Sequence, residues 1–162
     1  MKKKVLLSVM IMAALLTVTG CGKKDNNSGE TTTAAPIIKK LNCTIDKKEK
    51  KYSENVRYIF NFKNDVFDRI SVITTDKYNS GKYDEKTATN LEKKCTEALK
   101  NKGVTCNISK SGSSIYTTYQ FTVEQLDEES TKLYKEFGFD NYTGTSIEEI
   151  KAALVEASFT CN

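Results

Sequence analysis

Five cysteines and no histidine set the chemical limits of this 162-residue chain. The thiols are Cys21, Cys43, Cys95, Cys106 and Cys161, with no Cys-x-x-Cys pair to make a redox centre. Ligand spacings typical of structural zinc are missing too, so neither a metal nor a cofactor is expected. Without imidazole, Ser-His-Asp and Cys-His arrangements cannot be assembled within this chain. Gly103, Gly112, Gly138 and Gly144 stand singly and build no phosphate-cradling loop. Carboxylates cluster at Asp127-Glu128-Glu129 and at Glu148-Glu149, a pattern open to calcium binding or acid–base work. Each cluster falls where a helix is predicted to start, and the helix dipole favours negative charge there, so a structural role is expected. No catalytic residue is predicted. Tyr116, Tyr119, Tyr134 and Tyr142, with Phe137 and Phe139, offer an aromatic binding surface instead. Among them Tyr119 is expected in the core and Tyr142 in an exposed loop. Asn42, Asn107 and Asn141 head Asn-x-Ser/Thr triplets, which accept glycans only in cells with that pathway.

Cys21 stands apart from the other thiols because of what precedes it. Lys2, Lys3 and Lys4 give a positive start, and Val5 to Val18 form an apolar stretch interrupted only by Ser8 and Thr17. That stretch suits a secretory signal and is short for a bilayer span. The run Val18-Thr19-Gly20-Cys21 resembles the lipobox of bacterial lipoproteins. The resemblance implies that the thiol is diacylglycerated, that the chain is cut before Cys21, and that acyl chains such as palmitate anchor it. Two or more acyl chains hold a protein stably where one does not. The chain then divides into a signal peptide over 1–20, a lipidated flexible tether over 21–40 and one domain over 41–162. Its expected location is the extracytoplasmic face of the cell membrane. Loss of Lys2, Lys3 and Lys4 lowers the formal charge from +4 to +1, so a nucleic-acid partner is not expected. Lys47 to Lys51 form a local basic run, read as a solvated loop; the alternative is weak attraction to anionic headgroups or cell-wall polymers.

The tether has no apolar period and holds the single proline, Pro36. From Leu41 onward the pattern becomes regular. Leu41, Cys43 and Ile45 alternate with polar residues as a strand does. Val56, Tyr58, Phe60 and Phe62 alternate as well, Asn64-Asp65 makes a turn, and Val66 to Thr75 returns as its hairpin partner. Asp84 caps a helix predicted from Glu85 to about Lys102, with Ala88, Leu91, Cys95, Ala98 and Leu99 on its apolar stripe and Gly103 as its terminator. Val104, Cys106 and Ile108 form a strand that turns at Ser111-Gly112-Ser113 into Ile115, Thr117, Tyr119, Phe121 and Val123. A helix is predicted over Glu124 to Phe137, with Leu126, Leu133, Tyr134 and Phe137 facing inward. Thr145 or Ser146 caps a last helix through Ile147, Ile150, Leu154 and Ala157. The expected fold is α+β: an antiparallel sheet built from two hairpins, packed by one long helix and two shorter C-terminal helices.

An even number of cysteines remains for the domain once Cys21 is lipidated. In an exported domain four such residues argue for two disulfides, of which three pairings exist. Helical phase puts Cys95 on the inner stripe and strand phase puts Cys106 beside Val104 and Ile108, facing the same interface. Cys95–Cys106 is the preferred local bridge, which leaves Cys43 at the first strand to join Cys161 at the end. Reduced, buried thiols packing as small hydrophobes stay open as the competing reading.

The order of elements resembles the YehR-type family of small bacterial lipoproteins of unknown function. The likeness rests on the lipobox, the hairpin Tyr58 to Phe67, the helix leading to Gly103-Val104-Thr105, the hairpin Ile115 to Val123, and Thr145-Ser-Ile-Glu-Glu-Ile with the final Phe159-Thr-Cys161. It implies a single α+β domain and a cysteine pair joining the first strand to the C-terminus, in agreement with Cys43–Cys161. It brings no catalytic residue. The expected function is a membrane-anchored binding or interaction module for an envelope protein, polymer or small ligand. The alternatives are an envelope enzyme using carboxylates or a thiol, and a purely structural envelope lipoprotein.

Overall fold

A computed structural model describes residues 35–139, 142 and 144–162. Cys21, the signal segment, most of the tether and Asn141 lie outside the described residues. The strands are β1 (Ile38–Lys48), β2 (Tyr52–Lys63), β3 (Val66–Tyr78), β4 (Val104–Ser111), β5 (Ser114–Thr122) and β6 (Thr160–Cys161). The helices are α1 (Glu85–Ala98), α2 (Glu128–Glu136) and α3 (Ile147–Glu156). All strands pair antiparallel in one six-stranded sheet, in the order β4-β5-β3-β2-β1-β6. The fold is α+β, as the patterns predicted, and both expected hairpins are present.

The β2–β3 turn places Asn64 at φ 51° and Asp65 at φ 65°. Two successive positive angles make the turn that matches strand twist, and Asn and Asp tolerate them best after glycine. A bulge between Asn61 and Phe62 then leaves Asp68 without a partner in the ladder. Phe67 and Ile70, three residues apart, thereby both turn inward, and both are buried.

Several boundaries differ from expectation, three of them with a clear physical cause. β1 starts at Ile38, inside the segment assigned to the tether, because backbone pairing to Lys63, Phe62 and Asn61 needs no apolar side chain. Asn64 secures that start: its N–H donates to the Ile37 carbonyl at 2.9 Å and its Oδ1 accepts from the Ile37 N–H at 2.9 Å. α1 ends at Ala98, so Lys100 and Lys102 are beyond it and Leu99 is a cap that stays 54 % exposed. Gly103 serves a different end from helix termination. A Cβ there would lie 2.8 Å from the Gln125 carbonyl carbon, and φ is +71°, so the residue admits a close approach of two backbones. The helix predicted from Glu124 divides into a 3-10 turn over Val123–Gln125 and α2 beginning at Glu128. Asp127 causes the division, since its side chain caps the Ser130 N–H and demands an extended backbone at 127.

Ser146 is the cap of α3, and Glu149 closes a capping box with it. The helices cover one face of the sheet. Fully buried Phe60, Phe62, Phe121, Phe139, Ile70 and Ile150 form the centre of that core. Ala157, expected on the stripe of α3, caps its C-terminal end and is exposed.

Candidate functional site

Antiparallel register lets the covered face be followed in rows across the strands. One row runs Leu41, Phe60, Ile70, Phe121, Val104. The next runs Cys161, Cys43, Tyr58, Val72, Tyr119, Cys106. Both disulfides thus close the same row, at its opposite ends. Cys43–Cys161 joins β1 to β6 with a Cα–Cα distance of 4.1 Å. Asn42 and Asn162 exchange both backbone hydrogen bonds beside it, at 3.0 and 2.9 Å, so the cysteines occupy the neighbouring pair whose side chains approach most closely. Cys95–Cys106 joins α1 to β4 at 5.4 Å. Both preferred pairings are formed, and every cysteine among the described residues is bridged.

Two rows further on, the chemistry changes. That row runs Lys47, Glu54, Asp76, Ile115, Lys110. Glu54 and Asp76 stand directly opposite each other on β2 and β3, a like-charged pair at core parity. Lys47 compensates Glu54 at 3.5 Å, and Lys110 turns to Glu92 at 2.7 Å. Asp76 receives neither cation. Its Oδ1 is buried and has no hydrogen-bond donor among the described residues. Burial first, and the charge of Glu54 second, push the Asp76 carboxyl up to about 6. Burial and the same two carboxylates also raise the Tyr52 hydroxyl.

Asp76 lies on the floor of a groove of about 730 Å³. Thr74, Thr117 and Tyr119 complete the floor. Leu91, Lys94, Glu97 and Ala98 of α1 form one wall, and Glu129, Leu133 and Glu136 of α2, with Phe137 beside them, form the other. Positions 129, 133 and 136 share a helix face by the three-and-four spacing. Tyr119 and Phe137 meet at 5.2 Å between ring centres, where floor joins wall.

Asp127 fixes the two walls relative to each other. Its Oδ2 accepts the Lys102 N–H at 3.0 Å from the segment after α1, while Oδ1 accepts the Ser130 N–H at 2.9 Å inside α2. These donors, Lys102 first, lower the Asp127 carboxyl to about 2. The acidic clusters seen in the sequence are therefore structural in the main. Glu128 and Glu129 pair with Lys132 at 3.2 and 2.7 Å, and Glu149 caps Ser146. The two clusters do not converge, and only Glu129 reaches the groove.

The expected aromatic surface is mostly core, with Tyr119 buried as expected and Phe137 partly buried at the edge of the groove. Tyr119 and Tyr134 are buried, and Phe139 is 1 % exposed. Tyr142, expected as the exposed contact, is half-buried, with its ring 5.8 Å from Phe60 and 6.3 Å from Phe139. Tyr116 alone of the set is open, at 39 %. Lys47 to Lys51 span the β1–β2 turn, and Asn42 and Asn107 lie within strands.

Glu54, Asp76, Glu97 and Glu136 escaped sequence reading. Parity held the clue for two of them: Asp76 continues Ile70, Val72 and Thr74, and Glu54 precedes Val56 and Tyr58.

Among the described residues no three His, Cys, Asp or Glu are grouped to hold a metal ion, and no helix is long and apolar enough to cross a membrane. No family model matches the chain, and no curated protein sequence matches it. Among solved structures it is similar to a protein from Streptococcus pneumoniae TIGR4 determined by NMR. The TM-score is 0.56 and the identity 12 %, over 96 % of this chain and 100 % of that one. The likeness is one of fold.

Proposed function

We propose that this chain is an exported lipoprotein, anchored through Cys21, that presents a ligand-binding module on the extracytoplasmic face of the membrane. The groove between α1 and α2 is its binding site. One observation carries this reading: a carboxylate oxygen of Asp76 lies buried on the floor of an open groove without a donor. Buried polar atoms are satisfied as a rule, so an unmatched one in a cleft of ligand size is supporting evidence for a partner from outside the chain. Binding is favoured over thiol catalysis because Cys43, Cys95, Cys106 and Cys161 are all bridged. A carboxylate enzyme is the second reading, favoured by the direct apposition of Asp76 and Glu54.

NMR titration of the lipidated protein in detergent with pools of anionic, neutral and cationic fragments tests the site. Saturable shifts at Thr74, Thr117 and Tyr119 from at least one pool are expected. No groove shift from any pool would overturn the reading, and consumption of a bound fragment would favour the enzyme. Intact mass tests the anchor: the expected species begins at Cys21 and carries acyl chains, and an unprocessed chain would end the proposal.

A further inference from the structure

Resting on that site, we infer that the groove takes a small organic polycation, with primary or secondary amines separated by aliphatic runs. Five carboxylates, Glu54, Asp76, Glu97, Glu129 and Glu136, line it against the one cation Lys94. Two of the five already have partners, Lys47 for Glu54 and Lys132 for Glu129. Among the described residues, Asp76, Glu97 and Glu136 have no ion-pair partner, so uncompensated charge is spread over the floor and both walls. An anionic ligand is opposed by this field. A neutral ligand can hydrogen-bond Asp76 but leaves its charge without a counter-charge in partial burial, which is costly.

A bare cation is poorly served, since no three acidic groups converge. Amines meet the arrangement better. An ammonium group has three donors, enough to pair with the Asp76 carboxylate where it lines the groove and still reach Thr74 or Thr117. Leu91, Leu133, Ala98 and the Tyr119–Phe137 pair separate the carboxylates with apolar surface, which methylene runs can cover. A volume of about 730 Å³ lies within the range of small-molecule sites and is small for a folded partner.

Spermidine is the probe, added to the lipidated protein in detergent, with 1,8-octanediol as an uncharged control of similar chain length and trilysine as a peptide control. Saturable spermidine shifts at Thr74, Asp76 and Thr117 are expected, weakened by about tenfold or more in Asp76→Asn and by added salt. Asp76→Asn keeps the side-chain shape, and an otherwise unchanged spectrum verifies its fold. A second variant, Glu136→Gln on the exposed wall, is expected to weaken binding less. Equal binding of octanediol, spermidine affinity unchanged in both variants, or tighter trilysine binding would overturn the inference. If neutral or anionic fragments occupy the groove and spermidine does not, the ligand class is wrong and the binding site stands. If nothing occupies it, both fall.

Discussion

The covered face of the sheet has two ends that follow the same strand alternation and reach opposite results. At one end Phe60, Ile70 and Phe121 occupy one row and meet Tyr134, Phe137 and Phe139 from above, with Phe121 lying 5.6 Å from Tyr134 and 5.5 Å from Phe137. At the other, the same three strands carry Glu54, Asp76 and Ile115; Ile115 is buried, while Glu54 and Asp76 line the gap between α1 and α2. The strands stay paired antiparallel at both ends, with a bulge between Asn61 and Phe62 beside the filled one. Side-chain volume and charge differ: rings fill the space between layers, whereas threonines and carboxylates leave it open and repel closure. A cleft of this kind needs no special loop, only two rows in which the core pattern gives way, that of Thr74 and Thr117 and that of Glu54 and Asp76.

Replacement of a ring at the filled end gives the largest expected effect. Phe121→Ala is predicted to destabilise by about 3–5 kcal/mol through lost burial and a cavity, measured by urea unfolding. A loss under about 1 kcal/mol would mean that the filled end is packed no better than the groove. Next comes the bridge that holds α1 to the sheet. Removing Cys95–Cys106 as a paired serine variant is predicted to cost about 3 kcal/mol from loop entropy and to broaden the groove resonances of Leu91 and Ala98. Unchanged resonances there would show that Asp127 alone fixes the walls.

The smallest effect has the opposite sign. The Asp76 carboxyl is raised from 3.8 to about 6 in the folded chain, so between those values the folded state holds a proton that the unfolded state releases. Stability from this group therefore falls as pH rises through that window. Asp76→Asn is predicted to stabilise the protein by about 1–2 kcal/mol at pH 7.5, after discounting for solvent screening, and to have no effect near pH 3.5. Equal stability at both pH values would remove the contrast between the two ends.

The fold was largely legible because alternation and capping are local. Val56 to Phe62, Ile115 to Phe121, Asp84 and Ser146 each act through neighbours a few residues away. Boundaries were legible less well where a distant group decided them. α2 starts at Glu128 because Asp127 answers Lys102 as well as Ser130, and the inward turn of Phe67 depends on a bulge against Asn61 and Phe62. Tyr142 was misread as exposed because the rings that half-bury it, Phe60 and Phe139, come from β2 and the segment after α2.

The site was the least legible part. Asp127-Glu128-Glu129 drew attention as a cluster, yet it is mostly cap and surface pair. Glu54 and Asp76, 22 positions apart, become neighbours only through strand register. By itself the sequence determined most of the secondary elements and the α+β class, and it favoured Cys95–Cys106, since hydrophobic period, caps and the phase of each cysteine are properties of short segments; Cys43–Cys161, 118 positions apart, was left by subtraction, and the fold decided it. Only the tertiary structure decided that two helices stand apart over the unmatched carboxylate of Asp76, because that spacing depends on how side chains from five elements fill, or fail to fill, one shared volume.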